Sequence, residues 1–145
     1  MSILDANLVV SDAQAITTTA ISTNVINLGA TGIVPREGSV IARNLGAGVP
    51  LPILAQVVET FATLTSLTVT LETSDSADLS ASTVLATTVA IPAASLVAGF
   101  NLGGALRYMP SAEIKTYLGM RYTVVGTTAT AGKMTVAIGS TEAAG

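Results

Sequence analysis

The chain of 145 residues is long enough for one domain, and no linker or shift in composition divides it. Its net charge is −3 and its six Lys and Arg residues are scattered singly, which disfavours direct binding to nucleic acid. The absence of cysteine and histidine excludes a disulfide framework, thiolate chemistry, and the usual base and metal ligand at neutral pH.

The first twelve residues are predicted to form an N-terminal arm, followed by a single β-sandwich domain over residues 13–145. The alternative, which stays open on sequence alone, is that this arm is the first strand of the sandwich. The segment has no basic n-region, and Asp5 interrupts its apolar run, so we expect no signal peptide here.

Two stretches in the middle of the chain predict strands. In residues 53–61 both faces are apolar, which is typical of a strand covered on both sides. Residues 66–73, SLTVTLET, alternate with a period of two, which predicts a half-buried strand. Its inward side chains would be Leu67, Val69 and Leu71, and its outward row would be Ser66, Thr68, Thr70 and Glu72.

The second half of the chain continues this pattern. Residues 83–91 predict a half-buried strand with Leu85, Thr87, Val89 and Ile91 on one face, and a short helix or an irregular loop follows near Leu96. The sequence GTTATAGK is predicted to be the hairpin loop between two final strands. Seven to nine segments predict an all-β fold, an antiparallel β-sandwich or jelly roll of about eight strands.

An uncharged run, residues 79–106, is long enough to cross a bilayer, which takes about 20 predominantly apolar residues. Seven Ser, Thr and Asn residues interrupt it and Pro92 breaks it. We therefore expect no membrane span.

The glycines of residues 126–134, GTTATAGKM, superficially resemble a phosphate-binding loop. A Walker A motif needs four residues between its glycines and Ser or Thr after the lysine, whereas here there are five, and Met134 follows Lys133. The segment also precedes a strand, so no helix N-terminus would face a phosphate. A turn is the simpler interpretation.

Few carboxylates are available for chemistry. Glu72, Asp75 and Asp78 lie close together in the sequence, which would suit calcium, but Asp and Ser are common turn formers and a solvated turn is favoured. Glu59 interrupts an apolar strand face, and we expect it to pair with one of the four arginines rather than with a second acid as in a glycosidase. No Ser-x-x-Lys spacing occurs. We predict no catalytic residue, no metal site, no cofactor and no enzyme activity.

Three colinear segments carry a resemblance to a known family. They are ILDANLVVSDAQAITTTAISTNVINLG, LTVTLETSDSADLSASTVLATTVAIPAASLVAGFNL and YLGMRYTVVGTTATAGKMTVAI. Together they span nearly the whole chain, which resembles the small capsid cement (decoration) proteins of tailed bacteriophages. Residues 29–51 are more divergent from that pattern.

The resemblance implies a jelly-roll protein on the outside of an icosahedral phage head. It implies binding to major capsid proteins of the HK97-like fold, bridging of neighbouring capsomers, and reinforcement of the shell against packaged DNA. It also implies a homo-oligomer, a dimer or a trimer, made in the cytoplasm of the infected bacterium, with no direct nucleic-acid or membrane contact.

The composition agrees with such a role. Charged residues make up 10% of the chain, against roughly 25% in an average soluble domain, and interfaces are depleted of Lys, Glu and Asp. The arm would supply apolar contacts to the partner. These candidate interface residues are Ile3, Leu4, Leu8 and Val9.

A carbohydrate- or host-binding module of a phage fibre or adhesin is the alternative function. Sugar sites usually need an aromatic platform, and the chain offers two Phe, three Tyr and no Trp. This scarcity counts against the alternative without removing it.

Overall fold

The computed structural model describes residues 6–29, 32–33, 35–38, 44–45, 52–102 and 112–139. Two 3₁₀ turns, Ala6–Leu8 and Ala93–Ser95, are the helical elements of this part of the chain, and no helix in it is long and apolar enough to cross a membrane. The strands are β1 (Val9–Ala15), β2 (Ala20–Ile21), β3 (Ile26–Asn27), β4 (Asn44–Leu45), β5 (Ile53–Ser74), β6 (Thr83–Thr87), β7 (Ile91–Pro92), β8 (Ala112–Glu113) and β9 (Tyr117–Ile138).

Two long antiparallel strands form the centre of the fold. β5 and β9 have 22 residues each and pair from Ile53↔Ile138 to Ser74↔Tyr117. The seven-stranded sheet has the order β1-β9-β5-β6, with β2 and β3 also on β9 and β7 also on β5, while β4 and β8 form a separate pair. The predicted all-β antiparallel class is confirmed, and the jelly-roll connectivity stays a prediction.

The core lies on one face of this sheet. Alternate side chains of β5 are fully buried, including Leu67, Val69 and Leu71, as the period-two pattern predicts. Inward residues from both halves of β5 and β9 belong to a single apolar cluster, which Leu96 and Leu102 also join. Because one cluster takes side chains from both ends of the long strands, the sheet curls around a single core, consistent with a sandwich.

The predicted hairpin loop GTTATAGK is wrong, because β9 runs through it without reversing. Ala62 pairs with Ala131, and Leu64 pairs with Gly126. The chain advances two residues on β5 but five on β9 between these pairs, so β9 carries three extra residues as a bulge. The Thr63 hydroxyl donates to the Thr128 carbonyl (2.8 Å) and accepts from the Thr130 amide (3.0 Å). These bonds pair one carbonyl and one amide of the bulge with a side chain of β5.

A glycine next to this bulge is needed for packing. Gly132 has φ +139°, and a Cβ there would overlap the aromatic ring of Phe61. Since Phe61 is part of the core, the strand passes over the ring only because residue 132 has no side chain.

The strand predicted over residues 83–91 is shorter than expected. β6 ends at Thr87, and Val89, predicted to face inward, is 82% exposed. The Thr88 hydroxyl accepts the Val69 amide (3.1 Å), which breaks the regular alternation before β7 resumes at Ile91. The predicted double covering of residues 53–61 is also wrong at Val58, which is exposed.

Candidate interaction surface

The structure places the described members of the predicted interface at the start of β1. Leu8 ends the first 3₁₀ turn and Val9 begins the strand opposite Ala137, and both are half-buried. Ile3 and Leu4 lie outside the described residues. Residues 9–12 of the predicted arm are therefore part of the sheet.

The outer side of β1 is covered by residues 21–24 of the same chain. The Asn24 amide donates to the Val10 carbonyl (2.9 Å), and its side-chain amide donates to the Val9 carbonyl (3.0 Å). In the reverse direction, the Gln14 side chain donates to the Ile21 carbonyl and accepts from the Thr23 amide, both at 2.9 Å. These bonds cap the edge that β1 would otherwise present.

A buried hydroxyl pair fixes β1 to β9 on the inner side. The Ser11 hydroxyl donates to Gln14 Oε1 (2.7 Å), so the Tyr122 hydroxyl, 2.6 Å from Ser11 Oγ, is the donor to it. Burial raises the pKa of Tyr122 well above its ordinary value of 10.0, and the Ser11 hydrogen bond opposes this only in part. Tyr122 therefore stays protonated at neutral pH and acts as a structural donor.

The opposite edge of the sheet, formed by β6, has no such cover among the described residues. The Thr88 amide donates to the Val69 carbonyl (2.9 Å), so the alternation of an antiparallel ladder directs the amide and carbonyl of Thr87 away from β5. Val84 on this strand is 52% exposed. The sequence around the edge, residues 79–106, contains no charged residue.

The outer face of the central strand pair is nearly neutral. Its cross-strand pairs are Ser66↔Val125, Thr68↔Thr123 and Thr70↔Arg121, and we call these six residues the hydroxyl face. Val125 is 48% exposed. The single charged member, Arg121, is ion-paired within the chain, and the other five members are threonine, serine and valine.

The partner of Arg121 is Glu72, and this corrects the sequence-based expectation that Glu72 faces solvent. Glu72 is 4% exposed, and its Oε2 lies 3.0 Å from Arg121 Nε. Its carboxylate also accepts from the hydroxyls of Thr70 (2.9 Å) and Ser82 (2.7 Å). Both carboxylate oxygens therefore have donors within the protein, which leaves Glu72 unsuited to calcium.

The connection between β5 and β6 is the turn that the acidic residues predicted. Asp75 and Asp78 are exposed, and the Ser80 amide donates to Asp78 Oδ1 (3.0 Å), which holds the pKa of that carboxyl below 3.8. Arg121 Nη2 donates to the Leu79 carbonyl (3.0 Å) and ties the turn to the sheet. Within the described ranges, no three Asp or Glu residues are grouped to hold a metal ion.

Glu59 is paired, but with a lysine rather than the expected arginine. Lys133 stands opposite it on β9, with Nζ 3.1 Å from Glu59 Oε2, and both side chains are 44% exposed. The hydrogen bond from Lys133 lowers the pKa of Glu59, and the Gly132 amide, 3.3 Å from Oε1, adds to this against a weaker opposing effect of burial. The sequence pattern showed an unusual acid, and only the register of β5 on β9 identifies its partner.

Comparison with known proteins gives one family. The family model Bbp16 matches residues 10–138, from the second residue of β1 to the last residue of β9. No curated protein matches the chain. The match covers all of the seven-stranded sheet except Val9.

Proposed function

Because the chain belongs to the phage-associated Bbp16 family, we propose that it is a structural virion protein that decorates and cements the outer surface of an icosahedral phage capsid. Its partners are major capsid proteins of the HK97-like fold and further copies of itself. It is made in the cytoplasm of the host bacterium, and it bridges capsid subunits and braces the shell against packaged DNA.

The observation that carries this proposal is the neutral hydroxyl face. Protein interfaces are depleted of Lys, Glu and Asp at their centres, and the one charge of this face, Arg121, is already paired with Glu72. Hydroxyl groups cost less to bury than unpaired charges do, provided that they find hydrogen-bond partners in the interface. Modest contacts of this kind are sufficient on a shell, where many copies act together.

The function so proposed is adhesive, with no chemical step. The N-terminal residues add to the contact, with Leu8 and Val9 at the start of β1 and Ile3 and Leu4 before them. Deleting residues 2–8 leaves β1 whole, because that strand begins at Val9. We expect weaker binding to capsids with an unchanged melting temperature; unchanged capsid binding would contradict the contribution of this segment.

The main test mixes the purified protein with capsids that lack it and images the particles. Regular density on the outer shell is expected. An absence of density, together with binding to glycans, would favour a carbohydrate- or host-binding module instead.

A matched pair of variants tests the role of the hydroxyl face. Val125 and Val97 are 48% and 47% exposed, but only Val125 belongs to that face. Val125→Glu buries an unpaired charge in the proposed interface and is expected to weaken capsid binding about tenfold or more, which corresponds to about 1.4 kcal/mol. Val97→Glu is the control. Equal effects of the two variants, or none from either, would exclude the hydroxyl face as the contact.

A further inference from the structure

Leu79, in the turn between β5 and β6, is buried on the opposite face of the sheet from the core. Only 1% of it is exposed, yet it is not a member of the core cluster of the described residues. A Cβ on Gly119 would lie 3.1 Å from Leu79 Cδ1, and it would also lie 3.2 Å from Ser22 Oγ and 3.3 Å from Val25 Cγ2. Both neighbours of Gly119 on β9 belong to the core cluster, so strand alternation places residue 119 on the outer face. Leu79 therefore fills a small pocket of its own on that face.

The backbone that carries Leu79 is strained. Leu79 has φ +54° and Ala81 has φ +48°, in the left-handed region that is unfavourable for residues with a Cβ. Strain of this kind persists only where surrounding contacts hold it in place. The turn therefore depends on its contacts with the sheet for its conformation.

Two of these contacts are made by the two members of one ion pair. Arg121 Nη2 donates to the Leu79 carbonyl, and the Ser82 hydroxyl donates to Glu72 Oε2. Residues 75–78, in contrast, are exposed. A segment with a strained backbone and few buried residues opens at a lower free energy than the sheet does.

The Leu79 pocket adjoins the hydroxyl face. Thr70↔Arg121 is the end pair of that face, and Glu72↔Gly119 lies two residues further along β5. The turn thus covers the outer face at this end and takes up one donor of Arg121. If the turn moves away, Gly119 is uncovered, and the ion pair of Glu72 with Arg121 loses its contacts with Ser82 and the Leu79 carbonyl.

We propose that residues 75–82 form a latch that opens and closes on the outer face while the sheet stays folded. In the closed form, Leu79 fills its pocket and the hydroxyl face ends in a covered ion pair. In the open form, the pocket is empty and the ion pair is exposed to water, so a partner of the hydroxyl face prefers the closed form. This use in partner binding rests on the proposed function, whereas the opening itself does not.

The first experiment measures the opening with a thiol. The chain has no cysteine, so Ser22→Cys places a single thiol in the Leu79 pocket. Val136→Cys, in the core, is the control that reports opening of the sheet. Without denaturant, a small alkylating reagent should modify the thiol at position 22 about tenfold faster or more than the thiol at position 136. Equal rates would overturn the inference.

Two further substitutions, each combined with Ser22→Cys, shift the latch in opposite directions. Leu79→Ala partly empties the pocket and should speed alkylation at position 22 by about tenfold or more. Ala81→Gly relieves the left-handed strain and should slow it about threefold. Ala98→Gly is the control for this change, because Ala98 is exposed and has no positive φ, and it should not slow alkylation.

The Ala81→Gly result keeps the test independent of general damage to the fold, because it predicts a more closed latch. Alkylation at position 22 that Ala81→Gly does not slow would contradict the latch. The same holds if Leu79→Ala speeds alkylation equally at positions 22 and 136, since the sheet would then open together with the turn.

Capsid binding separates the latch from the proposed function. Weaker binding by Leu79→Ala, with full binding retained by Ala81→Gly, supports both. A latch that responds as predicted in a protein that never binds capsids supports the latch and refutes the cement function. Undiminished capsid binding by Leu79→Ala would refute the link between the latch and the hydroxyl face.

Discussion

The two edges of the seven-stranded sheet differ in how far other residues of the chain cover them. At the β1 edge, Asn24 and Gln14 bond the strand to residues 21–24, which cover it. At the β6 edge, the described residues provide no cover, and Thr87 directs its backbone outward. Within the described part of the chain, one edge is therefore covered and the other is not.

The sequences of the two edges agree with this difference. β1 contains the charged and exposed Asp12, two register shifts, and Ala13 with φ +46°, all of which hinder the approach of another strand. β6 contains no charged residue and has one register shift on β5. The two edges therefore differ in both cover and charge.

The largest loss of stability is expected at Arg121, which bonds the turn before β6 to the sheet. Arg121→Leu leaves Glu72 as a buried carboxylate without its cation and removes the bond to the Leu79 carbonyl. We expect a loss of about 3 kcal/mol in the free energy of unfolding, measured by urea titration.

The exposed ion pair supplies the control. Lys133→Leu breaks the pair with Glu59, whose side chains are both 44% exposed. Because water screens such a pair, the loss should stay within about 1 kcal/mol. If the two variants lose equal stability, the buried position of Glu72 has no special importance.

At the β1 edge, the expected loss in the free energy of unfolding is intermediate. Tyr122→Phe removes the donor to Ser11 and should cost about 1 to 1.5 kcal/mol, with faster hydrogen exchange in β1. Tyr117→Phe is a suitable control, because the Tyr117 hydroxyl has no hydrogen bond to the described residues. Equal losses in both variants would show that the Ser11 bond does not hold the strand.

The same tyrosine gives a dependence on alkaline pH. Burial raises its pKa in the folded protein above the unfolded value of 10.0, so its contribution to stability is complete below pH 10 and is lost as the pH rises further. Above that pH, stability should fall by up to about 1.4 kcal/mol per pH unit from this group. Tyr122→Phe should lack this part of the decline; identical alkaline curves would contradict it.

Removing the side-chain cap from the β1 edge should lower the free energy of unfolding by less. Asn24→Ala removes the side-chain cap from the Val9 carbonyl but keeps the backbone bond to Val10, so we expect a loss of about 0.5 to 1 kcal/mol. Thr18→Ala, without a bond to the described chain, is the control. A loss in Asn24→Ala no larger than the loss in Thr18→Ala would show that the side-chain cap on Val9 does not stabilise this edge.

The smallest effect on stability is expected for Glu59, an exposed acid that lies outside both edges. Lys133 and the Gly132 amide lower the pKa of Glu59 below 4.5 in the folded protein. Its contribution is therefore present above pH 4.5 and is lost as the pH falls through the lowered pKa. The melting temperatures of the wild type and Glu59→Gln should differ slightly at pH 7 and converge once the pH has fallen below the lowered pKa of Glu59. A difference that grows on acidification would contradict this.

The sequence predicts those parts of the fold that depend on local alternation. Leu67, Val69 and Leu71 are buried as expected, because side chains in a strand alternate between faces whatever the strand's neighbours. The all-β class follows from the same signal. The turn with Asp75 and Asp78 follows from turn-forming residues.

The parts that the sequence does not predict depend on distant partners. Glycine and threonine over residues 126–133 are as suitable for a hairpin as for a bulge, and only continuous pairing with β5 decides between them. Glu72 is buried because Arg121, 49 positions away, lies beside it, and Glu59 meets Lys133 for the same reason. That the described residues leave the outer edge of β6 uncovered likewise follows only from the strand order.

The position of β9 in the sheet affects when the protein can fold during synthesis. β9 is the last of the described strands to leave the ribosome, yet it lies between β1 and β5 and also binds β2 and β3. Until Ile138 has emerged, β1 has no strand to pair with, and Ile53 lacks its partner at the far end of β9. Such distant pairings form slowly, so the sheet should stay largely unformed until β9 has emerged.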